Sequence, residues 1–338
     1  MLKIVGDINF CDGYFDTGLG VGSMIRKGVN PFQYISRTEG EYWIGNMECV
    51  CSDKSANTGL AAKQFIVPPA DLTHIKHLDL YGIANNHVMQ HGYEAYLNMK
   101  EYLNNQGVSF VGSSDKHSHE FNHQGKHIGL TAFSMRPDNF TETPSYWHLP
   151  ELDTISQELH ELAHCDYRIV YVHWGNEFIN YPYIDQKLLA HFLIDNGANL
   201  VVGLHPHILQ GFEEYHGGTI FYSIGNFVFN MPWEPTKYSI IVNVDFKKEN
   251  PVINFDYVHI GNDFCPQITT DVPQSYKMEY LNKLLYVCEE NEKYYRHVFQ
   301  YNRQYQRANR RTTLQNFFTM APVDSFGIIK DFIKRKLK

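Results

Sequence analysis

Leu200-Val201-Val202-Gly203-Leu204-His205-Pro206-His207, with Gln210 just beyond it, is the stretch on which the fold turns. Its apolar, β-branched run predicts a buried strand. Gly203 is expected to let the chain turn sharply where the strand stops. Pro206 removes an amide donor and stiffens the corner, so His205 and His207 are presented from a short, rigid turn. The carboxyl ends of strands in an α/β sheet are where such proteins bind ligands.

Other strand ends repeat the theme. Leu2–Ile8 predicts a strand carrying Asp7, and a glycine-rich loop follows through Gly13, Gly18, Gly20 and Gly22. Tyr42–Gly45 predicts a second strand, ending in Asn46-Met47-Glu48. Leu78–Ala84 leads into Asn85-Asn86-His87, and Tyr167–Val172 into His173-Trp174-Gly175-Asn176-Glu177. Between them, helices are predicted over Pro68–Leu78, Tyr93–Asn105, Leu152–Ala163 and Ile184–Asn196, the second and fourth stopped by Gly107 and Gly197. Val108–Val111 and His127–Ser134 also predict strands, and Thr219–Phe229, Tyr238–Phe246 and Val252–His259 predict a more antiparallel region. Successive βα units bring such strand ends to one edge, so polar groups far apart in sequence can converge. Two carboxylates, an amide and up to four imidazoles form a mixed oxygen–nitrogen ligand set. That set suits one or two divalent ions of the Mn²⁺, Fe or Zn²⁺ kind better than Ca²⁺. A pair of such ions would activate water and stabilise a phosphoryl-like transition state.

Composition sets the outer bounds. With 338 residues, 43% hydrophobic and 20% charged, the chain is an ordinary globular protein with one large domain or a domain plus an appendage. A net charge of -8 argues against a general nucleic-acid field. Cys11, Cys49, Cys51, Cys165, Cys265 and Cys288 form no CxxC pair, as expected of reduced thiols in a cytoplasmic protein. The first residues enter a strand at once, leaving no room for a signal segment, and no apolar run reaches membrane-spanning length. A P-loop and a GxSxG elbow are also missing from the sequence.

Gly6-Asp7, Asn46-Met47-Glu48, Ala84-Asn85-Asn86-His87 with Gly92, His173 to Glu177, Gly203 to His207 with Gln210, and Tyr222-Ser223-Ile224-Gly225-Asn226-Phe227 occur in that order over roughly residues 1–260. Together they resemble the CapA family of capsule-biosynthesis (poly-γ-glutamate synthesis) proteins, relatives of the calcineurin-like metallophosphoesterases. The resemblance implies an α/β sandwich of two mixed β-sheets flanked by helices, assigned to residues 1–270, and the sequence beyond it is expected to form a helical, basic C-terminal extension over 271–338. It implies metal ligation by Asp7, Glu48 (at the bridging carboxylate position), Asn86, His173, His205 and His207. His87 would stabilise the phosphate or protonate the leaving oxygen, and Glu177 would support the metal or contact substrate.

The implied activity is metal-dependent hydrolysis or transfer at a phosphoester or a related acyl or amide bond, in assembly of a capsule, exopolysaccharide or other extracellular polymer. The alternative is a non-catalytic accessory subunit of a membrane polymer synthase or exporter that holds an anionic polymer end. A nucleotidase-like phosphatase unrelated to capsules follows from the fold alone. Three positions depart from the phosphoesterase pattern: Asn9 replaces a histidine, Asn46-Met47-Glu48 replaces Gly-Asp-x-x-Asp, and Leu204 stands where a further histidine is common. One metal position is accordingly poorer in ligands.

Each motif also has a plainer interpretation. His205 and His207 can be a packed corner, His173 a satisfied core imidazole, Asp7 and Glu48 turn caps, and Asn86-His87 a corner at positive φ. Tyr222–Phe227 is expected to close the fold beneath the site, with Asn226 toward the pocket. His117, His119, His123 and His127 have irregular spacing and are expected on a solvated loop. Residues 301–338 carry nine Lys or Arg against two acids. Ile328, Ile329, Phe332, Ile333 and Leu337 recur at helical spacing opposite Lys330, Lys334, Arg335 and Lys338. This pattern predicts a C-terminal helix, either docked on the protein or resting on the anionic inner membrane face beside polymer-synthesis machinery.

Overall fold

A computed structural model describes residues 1–248, 250–287 and 291–337, with side chains through residue 334 in the last segment. Cys288 and Lys338, and the side chains of Arg335 and Leu337, lie outside the described residues. The strands in chain order are β1 (Leu2–Ile8), β2 (Tyr42–Met47), β3 (Val50–Cys51), β4 (Ile66–Val67), β5 (Leu80–Gly82), β6 (Ser109–Val111), β7 (Ser118–His123) and β8 (Lys126–Ser134). They continue as β9 (Tyr167–His173), β10 (Leu200–Leu204), β11 (Phe212–Tyr215), β12 (Gly218–Phe221), β13 (Asn226–Val228), β14 (Tyr238–Asp245), β15 (Val252–Ile260) and β16 (Pro266–Ile268). The α-helices are α1 (Val21–Arg26), α2 (Tyr93–Gln106), α3 (Leu152–Glu161), α4 (Ile184–Asp195), α5 (Met278–Leu284), α6 (Asn291–Asn316) and α7 (Pro322–Leu337).

Two mixed sheets form a sandwich. The first runs β16-β15-β14-β1-β2-β5-β6, with β13 also pairing β1, and the second runs β11-β12-β10-β9-β8-β7. Alternation along each strand makes the layers. Leu2 and Ile4 of β1 meet Ile169 and Tyr171 of β9 and Leu200 and Val202 of β10 in the core between the sheets. Val5 and Ile8 face outward to a second core with Ile25, Ala95, Tyr96 and Met99. Val170 and Val172 pack outward against Ile155, Ala190 and Leu193. Helices therefore cover both outer faces, and each fully buried aliphatic side chain contributes about 1.5–3 kcal/mol. The Tyr171 hydroxyl donates to the carbonyl of Val5, tying the sheets together, and Gly82 leaves room for that ring.

α2 buries Ala95, Tyr96, Met99 and Leu103 on one stripe and ends at Gly107 in the left-handed region (φ 68°). Three local expectations need correction. Residues 68–78 form two short 3₁₀ turns, Pro69–Asp71 and Ile75–His77, instead of a helix, because Leu72 between them leaves the helical region (φ -90°, ψ 57°) and breaks the ladder. His119, His123 and His127 lie on the β7–β8 hairpin instead of a loop. Gly203 stays within β10. Its role is close approach: a Cβ there would meet the Tyr222 carbonyl oxygen at 2.1 Å and Trp174 Nε1 at 2.3 Å.

The C-terminal helices pack back onto the sandwich. Tyr305 of α6 stacks on Phe178 (centroids 4.0 Å apart), and Asn316 donates to the Phe15 carbonyl. α7 buries Ile328 with Leu60 and Met320, and Lys63 pairs with Asp324 at 2.6 Å. Phe326, Ile329 and Ile333 on α7 remain exposed. Among the described residues no helix is long and apolar enough to cross a membrane.

Candidate metal centre

The carboxyl ends of the two sheets meet, and each contributes a different chemistry. The first sheet brings oxygen. Asp7 is in register with Asn46 on β2 and Asn226 on β13, so all three stand at one level. Gly6 allows this approach, since a Cβ there would lie 1.8 Å from the Gly225 carbonyl oxygen. Asn46 Nδ2 donates to Asp7 Oδ1 at 2.8 Å, and Asn85 Nδ2 donates to Asn46 Oδ1 and to the Met47 carbonyl. This amide chain fixes Asp7 and the turn carrying Glu48.

The second sheet brings nitrogen. β9 ends at His173 beside Leu204 of β10, and His205 and His207 follow immediately. Both take positive φ (90° and 59°), a region that disfavours side chains and costs about 1–3 kcal/mol per residue. The turning is done by the histidines themselves, not by Gly203. Two bonds hold the strained corner: the His205 amide donates to Asp7 Oδ2 (3.1 Å), and the Phe178 amide donates to the Pro206 carbonyl (2.9 Å).

These groups enclose Glu48. Its Oε1 lies 3.7 Å from His207 Nε2, 3.8 Å from His173 Nε2 and 3.8 Å from His87 Nε2. Asp7 Oδ2 lies 3.5 Å from His207 Nδ1, and Asn86 Oδ1 is 2.8 Å from His173 Nε2. Asp7, Glu48, His173, His205 and His207 are all at least 98% buried. Two overlapping groups have ligand atoms close enough to share one ion: Glu48, His205 and His207, and Asp7, Glu48 and His173.

Hydrogen bonding makes a cation the fitting occupant. Both carboxylate oxygens of Glu48, both ring nitrogens of His205 and Nδ1 of His173 have no hydrogen-bond partner. Leaving several buried polar atoms without partners costs about 1–3 kcal/mol each, so they need a ligand. Burial, reinforced by Asp7, pushes the Glu48 carboxyl well up, and burial pushes Asp7 up to about 7. Burial pushes His173 and His205 well down, helped by neighbouring imidazoles, and His207 down to about 3. Neutral imidazoles are ready to ligate. A divalent cation would restore the carboxylates to their charged form without protonating the imidazoles.

The remaining residues occupy the rim. His87 Nδ1 bonds Gln90 Oε1 at 2.8 Å, its ring stacks on Phe65 at 3.7 Å, and burial lowers it to about 4. Glu177 lies in the turn after β9. Burial pushes its carboxyl up, and Arg136 pulls the other way. Asn9, at the altered motif position, uses Oδ1 to accept the Cys11 amide at 3.0 Å and so caps a turn. Asn226 faces inward, with Oδ1 3.0 Å from His207 Nδ1.

Three parts escaped the sequence: the Asn46–Asn85 anchor, Arg136 with its guanidinium on the Gly175 carbonyl (2.7 Å), and Tyr305 over Phe178. The Asn-rich turns were visible as motifs, but their bond directions were not. Arg136 and Tyr305 lie on separate elements and carry no local signal.

Comparison with known proteins places this geometry. The model of the bacterial capsule synthesis protein PGA_cap matches residues 2–231. Capsule biosynthesis protein CapA of Bacillus anthracis is 43% identical over 91 residues, which is 27% of this chain and 22% of that protein. PGA biosynthesis protein CapA of Bacillus subtilis (strain 168) is 46% identical over 85 residues, 25% of this chain and 22% of that protein. The matched stretch thus spans about a fifth of each relative's length. Among solved structures, 5'-nucleotidase from Candida albicans SC5314 superimposes with TM-score 0.47 at 14% identity, covering 91% of this chain and 58% of that one. A phosphatase from Mycoplasma pneumoniae gives TM-score 0.46 at 12% identity, covering 76% of this chain and 92% of that one. With the family match running from β1 past β13, across both sets of site residues, the chain belongs to the bacterial capsule synthesis protein family PGA_cap.

Proposed function

We propose that the protein is a metal-dependent hydrolase or transferase acting on a phosphoester, or a related acyl or amide bond, in assembly of a capsule or other extracellular polymer. The observation that carries this reading is Glu48, a fully buried carboxylate without a hydrogen-bond donor, ringed by imidazole nitrogens at 3.7–3.8 Å. In this reading Asp7, Glu48, Asn86, His173, His205 and His207 hold one or two ions of the Mn²⁺, Fe or Zn²⁺ kind. Bound there, the metal supplies Lewis acidity and an activated water. The poorer first motif, with Asn9 engaged as a turn cap, favours a single tightly held ion.

The chain's own groups do the rest. His87 is the most accessible imidazole of the ring, with a side chain 15% exposed against 1–2% for His173 and His207. Gln90 holds its Nδ1–H, which leaves Nε2 as a lone pair facing the site. His87 therefore accepts a proton first and returns it to the leaving oxygen afterwards. Arg136 offers positive charge to an anionic substrate, and Glu177 balances that charge. Residues 271–338 form an extension whose Tyr305 covers the Phe178 side of the site.

A second reading, an accessory subunit that binds an anionic polymer end, draws support from α7. Its exposed Phe326, Ile329 and Ile333 accompany exposed Lys330 and Lys334, a pattern suited to the inner membrane face beside a polymer synthase.

Metal content of protein purified without added metal, beside the His205→Ala/His207→Ala variant, tests the first reading. Near-stoichiometric Mn, Fe or Zn in the parent, lost in the folded variant, supports it and directs a screen of phosphoesters and γ-glutamyl amides. No metal in either, even after reconstitution, sinks the hydrolase mechanism and leaves the accessory reading.

A further inference from the structure

A second set of metal-type side chains lies on the outer edge of the second sheet, away from Glu48. Glu120 of β7, His127 of β8, and His164 and Cys165 at the entry to β9 place one ligand atom each within 4.8 Å of one another. Glu120 Oε2 is 2.9 Å from His127 Nε2, 2.9 Å from His164 Nε2 and 3.8 Å from Cys165 Sγ. A tetrahedral zinc ion with bonds of about 2.0–2.3 Å sets its ligand atoms about 3.3–3.8 Å apart, so small side-chain movements suffice.

Three features build the cluster. Gly129 leaves space for the thiol, since a Cβ there would sit 3.0 Å from Cys165 Sγ. Asp166 clamps His127 by accepting its amide at Oδ2 and donating its own amide to the His127 carbonyl, both at 2.8 Å. His164 Nδ1 lies 2.8 Å from the Glu161 carbonyl, which can only accept, so the proton is on Nδ1. In the neutral ring that bond leaves Nε2 as a bare lone pair aimed at a carboxylate oxygen. Two acceptors at 2.9 Å repel unless positive charge lies on the ring or between them.

We propose that Glu120, His127, His164 and Cys165 bind a zinc ion that staples the edge strand β7 to β8 and β9. A thiolate, two imidazoles and a carboxylate select zinc over magnesium or calcium. The three segments are adjacent in the sheet, so one ion crosslinks the exposed edge to the interior. Half-exposed ligands (side chains of Glu120 40%, His127 35%, His164 56%) make the ion exchangeable.

Cobalt substitution tests this. The chelator-treated 338-residue chain is titrated with Co²⁺ without oxygen, and the near-ultraviolet thiolate-to-cobalt band is recorded. The buried centre's Asp7, Glu48 and histidines supply no thiolate, and the Cys165→Ser variant separates the surface cluster from the other cysteines. The expected result is a saturable band, displaced by Zn²⁺, lost in Cys165→Ser, weakened at least tenfold in apparent affinity in His164→Gln, and retained in His205→Ala/His207→Ala. His164 is exposed, so its variant decides the matter if Cys165→Ser does not fold. A parent without the band at saturating Co²⁺, a band surviving Cys165→Ser, or unchanged affinity in His164→Gln would overturn the proposal and leave a surface ion-pair cluster with protonated histidine.

Discussion

The buried centre and the surface cluster both set a glutamate among histidines and yet behave oppositely. Around Glu48 burial dominates: imidazoles are driven neutral and carboxyls are driven toward protonation. Around Glu120 solvent relieves that penalty, and the hydrogen bonds to Glu120 and the Glu161 carbonyl push His164 up. Charge in the exposed cluster can be balanced by a proton. In the buried centre a proton on any imidazole is opposed by burial, and several donors remain unpaired. Burial therefore makes a cation the fitting occupant of the inner cluster, whereas in the outer one a proton can balance the charge as well as the proposed zinc ion can.

The sharpest way to break this contrast is Glu48→Gln. Replacing a carboxyl that folding must either desolvate or protonate should raise the melting temperature of chelator-treated protein while abolishing the stabilisation that Mn²⁺ or Zn²⁺ gives the parent. Thermal scans with and without metal read both signs, and a variant less stable than the parent under chelation would show that Glu48 has a partner other than a cation. His87→Ala should lower turnover about 10²–10⁴-fold, once a substrate is found, with metal content unchanged. Loss of metal instead would move His87 into the ligand set.

Asn46→Ala should weaken metal binding about 10–100-fold by releasing Asp7, measured by competition with a chromophoric chelator. Unchanged affinity would mean that Asp7 needs no anchor. The mildest effect is a pH trend. Asp7 has its folded value raised by burial from 3.8 to about 7. In metal-free protein its contribution to stability is fully present below 3.8 and is lost as pH rises through about 7. Metal binding needs the deprotonated form, so metal-induced stabilisation should grow across that window. A flat metal-induced shift between pH 5 and roughly 7 would remove Asp7 from the site.

Much of the inner cluster was legible because each candidate residue follows a strand in a short motif. Asp7, His87, His173, His205 and His207 gather around Glu48, and Asn86 reaches His173, as strand-end placement implies. Asn9 declared its difference in sequence, and the structure gives it other work as a turn cap. The outer cluster was not legible. His127 was grouped with its sequence neighbours His117, His119 and His123, whereas its spatial partners are Glu120, His164 and Cys165. Strand pairing between β8 and β9 makes that contact, and no local spacing encodes it.

By itself, then, the sequence determined the alternation of strands and helices, the polar residues at strand ends and the family, since these follow from local patterning and motif order. Only the tertiary structure decided that Asp7 and Glu48 come from one sheet and His173, His205 and His207 from the other. It also decided that His205 and His207, rather than Gly203, make the sharp turn, and that α6 lays Tyr305 beside the site. Those features depend on how deeply each group is buried and which strands meet. Both are properties of the packed sandwich, set by contacts between residues more than a hundred positions apart in the chain.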